Sequence, residues 1–395
     1  MSLIDSEVKN SELVIYLKGH IDSANAAKAE AEINEAVAAA KGCTNVRIDA
    51  SKLEYISSAG LRVILRLRKN WPDLCISNVS SEVYEILDMT GFTEMMKVEK
   101  AYRVISVDGC EVIGEGANGK VYRIDRDTIV KVYLNPDSLP DIQRERELAR
   151  EAFVLGIPTA IPYDVVRVNE GYGSVFELLN ATSFAKMIAN DPSKLDSAVR
   201  MSVDLLKKIH STAVKAGTMP DMKAVAVKWC SFMKDYLPQD IHTKLMDMVN
   251  AVPATNHMLH GDYHIKNVML QDGEVLLIDM DTLCVGHPVF EFASVYNAYQ
   301  GFSCVDHTNI ERFLGITYDM GREIWDKTLS LYFEDKTPEE IADIEKKAQI
   351  LGYTRMVRRS IRRGGLDDPE ESKVIDFGIR EITRLVSETD SLTWD

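Results

Sequence analysis

The chain has 395 residues, 46% of them hydrophobic and 27% charged, which is the composition of a globular protein longer than one ordinary domain. Its net charge is −15; residues 1–104 carry only −2 of this, so the acidity belongs to the C-terminal part and argues against non-specific nucleic-acid binding. No apolar run reaches the roughly 18–20 residues of a membrane span, no secretory signal is visible at the N-terminus, and the six scattered Cys without CxxC pairing read as reduced thiols of a cytoplasmic protein.

In chain order, "ELVIYLKG" alternates as a strand does, and "NAAKAEAEINEAVAAAKG" has helix-forming composition ending at a Gly. "NVRIDA" reads as a short strand ending at Asp49, followed by a polar turn. "SSAGLRVILRLRKN" is the next helix, "LCISNV" a strand, and "SSEVYEILDMTG" a helix with Ser at its start and Gly past its end. Strands alternating with helices over about 100 residues predict a small α/β domain with its sheet covered by helices. Ser57 and Ser58 open a helix, where free N–H groups and the dipole suit an anion; plain N-capping accounts for the same residues.

"GHIDSANA", "IDASKLEYISSAGLRVIL" and "MTGFTEMM" resemble the STAS domain of anti-sigma factor antagonists, over most of residues 1–105. The resemblance implies a partner-binding domain switched in bacteria by phosphorylation of a Ser at this helix start. The family's usual phosphorylated position falls on Ala59, so Ser58, with Ser57 before it, is the nearest hydroxyl. Asp22 matches a family Asp near the switch.

The second domain is expected to begin at about residue 106, after a short linker around Arg103 to Asp108. Gly114, Gly116 and Gly119 fit GxGxxG, a motif used by two kinds of nucleotide site. A dinucleotide fold needs a helix after the third Gly. Here "KVYRI" alternates as a strand, "DRD" turns, and "TIVKVY" is a second strand carrying Lys131. Strand, Gly-rich turn, strand and Lys is the kinase arrangement, with the Lys on the α- and β-phosphates. Its partner is expected on the helix "DIQRERELAREAFVLG", with Glu147 preferred, Glu151 one turn later, and Glu145 ranked behind them. "YGSVFELL" predicts a buried strand, after which Glu177 and Leu178 offer backbone groups to an adenine ring. His210, near a helix end, reads as packing or capping.

"HGDYHIKN" and the following "DMD" admit two chemistries. A metal hydrolase would use His260, Asp262 and His264 as ligands, but leaves the Gly loop and Lys131 unexplained. Phosphoryl transfer needs a carboxylate for the proton of the attacking hydroxyl, and an Asn and an Asp to hold Mg²⁺. Asp262, Asn267 and Asp279 supply that set, and His260 and His264 then brace the loop.

"LHGDYHIKNVML" and "VLLIDMDTLCVGHPVFEFA" resemble the aminoglycoside phosphotransferase and choline kinase family, a branch of the protein-kinase-like fold, over roughly residues 108–300. The resemblance implies an α+β two-lobed domain, with an N-lobe of about 108–180 and a C-lobe of about 181–395. It also implies ATP, Mg²⁺ and transfer of the γ-phosphate to a hydroxyl. Asp262 falls on the catalytic base, and Asn267 and Asp279 on the metal-holding positions. Asp281 is a further metal contact or a turn cap, and Glu291 replaces a more usual Asp at a structural position.

In this family the acceptor is held mostly by C-terminal helices. Tyr296, Tyr299, Trp325 and Tyr332 either enclose a cationic group or fill the core. Arg355, Arg358, Arg359, Arg362 and Arg363 point to an anionic group, a docked partner or a solvated face. Two functions are expected to compete. One is a small-molecule kinase with a fused STAS regulator. The other is a nucleotide-binding signalling protein whose kinase-like part controls what the STAS domain binds, an anti-sigma factor or similar protein, with phosphorylation of Ser57 or Ser58 as a variant.

Overall fold

The computed structural model describes residues 2–9, 11–116 and 119–394. The chain divides into two compact units. One is Met1–Ser106 with Val166–Asn169, the other Val107–Val165 with Glu170–Asp395.

The first unit holds a five-stranded sheet in the order β1 (Ile4–Lys9), β2 (Glu12–Ile21), β3 (Asn45–Ile56), β4 (Cys75–Val79) and β5 (Val98–Lys100). β1 pairs antiparallel with β2, and all other neighbours run parallel, joined by helices α1 (Ala26–Ala39), α2 (Ser58–Asn70) and α3 (Ser81–Met89). Ile15, Ile48 and Ile76 from three adjacent strands are fully buried, each contributing on the order of 1.5–3 kcal/mol of burial. β3 does not stop at Asp49, as the polar run had suggested. It continues to Ile56, with register shifts against β2, because Leu53 and Ile56 still face the core. β1 buries only Ile4, and its other apolar residue, Val8, is exposed, so it carries no alternating signal.

Ser57 caps α2, its Oγ accepting from the Ala59 N–H at 3.2 Å, while Ser58 is the exposed first residue of the helix. Gly60 lets the helix approach the sheet closely. A Cβ there would stand 2.7 Å from Ile56 Cγ1 and 2.9 Å from Ile21 Cγ2, too close to be accommodated without movement.

The second unit begins with an antiparallel run of strands, Glu111–Gly116, Gly119–Arg123, Thr128–Tyr133 and Gly171–Glu177. The helix Leu139–Val154 lies between the third and fourth of these strands in sequence. The remainder is mainly helical around one large core, with the long helices Val289–Tyr299, Pro338–Arg362 and Pro369–Glu388. Two short hairpin strands, Val268–Gln271 and Glu274–Leu277, interrupt it. No helix among the described residues is long and apolar enough to cross a membrane, and all six Cys are free thiols.

Candidate active site

Gly116 and Gly119 pair directly across the first hairpin of the second unit; its tip, Ala117 and Asn118, lies outside the described residues. A Cβ on Gly119 would stand 2.3 Å from the Val132 carbonyl oxygen, so only glycine permits this backbone approach. Among the described residues, nothing lies within 4 Å of a Cβ built on Gly116. Gly114 sits at a register shift in the first strand, packed against Val121.

Lys131 pairs across the sheet with Val121 and Ser174. Its Nζ donates to Glu145 Oε1 at 3.0 Å and to Asp279 Oδ1 at 3.1 Å. The Tyr133 hydroxyl also donates to Glu145. Burial alone would lower the Lys131 pKa, but the charges of Asp279 and Glu145 outweigh it and hold the ammonium above its ordinary value. Lys131 is therefore a permanent cation, fixed between carboxylates from a helix and a distant loop.

The partner is Glu145, not Glu147. The helix buries Ile142, Glu145, Leu148, Ala149 and Ala152, the 3–4 spacing of a core-facing stripe. Glu147 falls off that stripe and is exposed.

The Leu178 N–H is already spent, donating to the Asp127 carbonyl at 2.9 Å. It is therefore not available to an adenine edge, contrary to expectation.

The loop bearing Asp262 is held from several sides. Buried Glu291 accepts from the backbone N–H groups of His260 and Gly261, the latter at 3.0 Å. Both His260 ring nitrogens face backbone, Nε2 toward the Ile278 carbonyl at 3.2 Å and Nδ1 accepting from the Asp262 N–H at 3.3 Å. Gly261 has φ +82°, and a Cβ there would meet the Thr282 carbonyl at 2.5 Å. His264 Nε2 stands 3.6 Å from Asp262 Oδ2. Burial would raise the Asp262 pKa. The neighbouring His264 imidazole, then Arg355 and His260, overcome this and hold it well below the usual carboxylate range.

Asn267 is brought near Asp279 by the hairpin, in which Val268 opposes Leu277 and the Ile278 N–H donates to the Asn267 carbonyl at 3.0 Å. Asn267 Nδ2 donates to the Asp262 carbonyl at 3.1 Å, leaving its amide oxygen as the acceptor. Asp279 adopts left-handed φ 64°, ψ 65°, a conformation a non-glycine residue holds at some cost and typically at functional sites. An amide oxygen and a carboxylate are the hard oxygen donors that Mg²⁺ takes, so the residues fit that ion. Asp281 is pushed up to about 7, first by burial and then by the charge of Asp279.

Arg355 was not singled out as a neighbour of the catalytic loop. Its Nη1 donates to Ser294 Oγ at 2.8 Å and to the Gly261 carbonyl at 3.1 Å, and its Nη2 lies 4.0 Å from Asp262 Oδ1. Tyr296, Tyr299 and Trp325 are buried and fill the core rather than line a cage. Tyr332, partly buried, hydrogen-bonds His210 Nδ1 at 2.8 Å.

The sequence pattern of the phosphotransferase enzyme family (APH) matches residues 109–324, more than half of the chain. The chain belongs to that family. The same comparison finds a STAS domain over residues 4–104. This phosphotransferase-family chain is also 38% identical, over 90 residues, to BtrV, a Bordetella bronchiseptica protein named as an anti-sigma factor antagonist. The match covers 22% of this chain and 76% of BtrV. Among solved structures, a gentamicin complex of the aminoglycoside phosphotransferase APH(2")-IIa is similar at 15% identity and TM-score 0.48, covering 78% of this chain and 99% of that one. A ternary complex of a thermostable APH(4)-Ia mutant with AMP-PNP and hygromycin B is similar at 14% identity and TM-score 0.49, covering 71% and 93%.

Proposed function

We propose that the second unit is an ATP-dependent phosphotransferase that moves the γ-phosphate to a hydroxyl of a small molecule, and that the STAS domain serves it as a regulatory or docking module. The observation carrying this reading is the double contact of Lys131 with Glu145 and Asp279, which joins the Gly-rich sheet to the loop system of Asp262 and Asn267.

In this reading the Gly114–Gly119 hairpin covers the phosphates, and Lys131, held by Glu145, meets the α- and β-groups. Asn267 and Asp279 would hold Mg²⁺, which would supply positive charge against the phosphates. Asp262 orients the acceptor hydroxyl and takes its proton as the oxygen bonds to the γ-phosphorus and the β–γ bridging bond breaks.

Calorimetric titration with ATP, with and without Mg²⁺, tests the reading. Mg²⁺-dependent binding supports it; no binding removes it. A nucleotide-sensing role in which the STAS domain reports to a protein partner predicts binding without turnover. Exposed Ser58 is what favours the variant in which the second unit phosphorylates the first. Intact-mass measurement after incubation with Mg·ATP, also with isolated STAS domain in trans, decides that variant. An unchanged mass eliminates it.

A further inference from the structure

Residues 355–363 hold five Arg and no acidic residue, in a protein of net charge −15. Arg355 and Arg359 lie one turn apart on one face of the helix, and Arg363 caps its C-terminal end. The first of them is fixed beside Asp262 by two hydrogen bonds from a single nitrogen, Nη1. Its Nη2 approaches Asp262 only to 4.0 Å, beyond hydrogen-bonding distance, so that edge of the guanidinium keeps its donors. Its Cζ also lies 5.5 Å from the Trp229 ring centroid, which further fixes the plane. Arg359 lies with its Cζ 5.1 Å from the Phe302 ring centroid and has no carboxylate within 4 Å among the described residues. Partial burial, then the like charges of Arg363 and Arg355, disfavour its cationic form; Glu371 and Asp262 act the other way. Among the described residues, Asp262, the proposed base, is the one carboxylate within 4.0 Å of either Arg355 or Arg359. A solvated helix face does not need one of its guanidiniums clamped at the catalytic loop.

From this, resting on the phosphotransferase reading, we propose that the phosphate acceptor is an anionic alcohol, whose carboxylate or phosphate group is held by Arg355 and Arg359 while its hydroxyl meets Asp262. A guanidinium presents a planar fork that matches either oxyanion, and pre-fixing Arg355 reduces the ordering cost of binding. The unspent edge of Arg355 faces the base, so an acceptor gripped there has its hydroxyl within a few bonds of Asp262.

The test uses the full-length protein saturated with Mg²⁺ and a non-hydrolysable ATP analogue, so that the γ-phosphate position is filled. D-Glycerate, glycerol 3-phosphate, glycerol and choline are then titrated by calorimetry. The proposal expects one or both anions to bind more tightly than glycerol and choline, and Arg359→Ala to weaken that binding about tenfold, a loss of about 1.4 kcal/mol. The variant's affinity for the nucleotide analogue should not change. D-Glycerate against glycerol 3-phosphate separates a carboxylate from a phosphate. Preference for choline or glycerol, no anion binding, or anion binding indifferent to Arg359→Ala overturns the proposal while leaving the phosphotransferase reading intact. Failure to bind the Mg²⁺-nucleotide removes that reading and this one with it.

Discussion

Glu291 accepts the N–H of Gly261 at 3.0 Å from a position with no solvent exposure, so one buried carboxylate fixes the backbone immediately before Asp262. A second N–H, that of His260, reaches the same carboxylate. Burial opposes its ionisation, but His210 and His260 together with these backbone donors hold its pKa below the ordinary value. Glu291→Gln keeps the shape but turns an amide NH₂ toward one donor. We expect a loss of about 2–3 kcal/mol, the cost of an unsatisfied buried donor and a lost charge-assisted bond. Thermal unfolding of the variant should show it, and ADP release should fall because the base is no longer held. Unchanged stability would mean that the loop is held by other contacts.

The Lys131 pairing separates two neighbouring carboxylates. Glu145→Ala leaves Lys131 with Asp279 alone and the Tyr133 hydroxyl without its acceptor. The Michaelis constant for ATP should rise about tenfold or more, since each 1.4 kcal/mol of lost positioning is a factor of ten. Glu147→Ala, on the exposed face, should stay within about 0.5 kcal/mol in stability and leave ATP affinity alone. A reversed ranking in steady-state kinetics would refute the pairing.

Asp262 and Asp279 should fail differently. Asp262→Asn is expected to lower turnover by about 10²–10⁴-fold with nucleotide affinity nearly intact, because the base touches the acceptor and not ATP. Asp279→Ala removes a metal donor and one partner of Lys131, so Mg·ATP binding itself should weaken. Calorimetry on both variants beside turnover assays checks the division. Equal loss of affinity in both would show that the two carboxylates do not have separate roles.

That Lys131 would come to Asp279, and Asn267 to Asp262, was legible because each lies in a short motif of characteristic spacing. Glu145 was legible in the apolar period of Ile142, Leu148, Ala149 and Ala152, which marks the buried face that Glu147 and Glu151 do not share. Arg355 reaches Gly261 across 94 residues of sequence, and no local pattern encodes such a contact. The Leu178 N–H was misread for a related reason, since its partner Asp127 lies beside it only once two strands have paired. In the first unit the missed strand Ile4–Lys9 has one buried residue, and an edge strand so polar lacks the alternation by which strands are recognised.

His287 supplies a pH dependence whose sign follows from its surroundings. Its Nδ1 accepts the Val289 N–H at 3.1 Å, and its ring packs edge-on against Trp394 with centroids 4.8 Å apart. Burial first, then the charges of His210 and Lys347, lower its pKa to about 4 from the ordinary 6.5. The unfolded chain therefore binds a proton in that window that the folded chain does not. Stability from this group is complete above pH 6.5 and is lost as pH falls toward 4, by up to about 3 kcal/mol. His287→Asn retains an acceptor for Val289 without a titrating ring. Urea unfolding followed from pH 7 to 4.5 should show a shallower stability loss in the variant by roughly 2–3 kcal/mol. The comparison between the two proteins cancels the carboxylates that titrate in both. Parallel curves would show that His287 takes up its proton without cost to the fold.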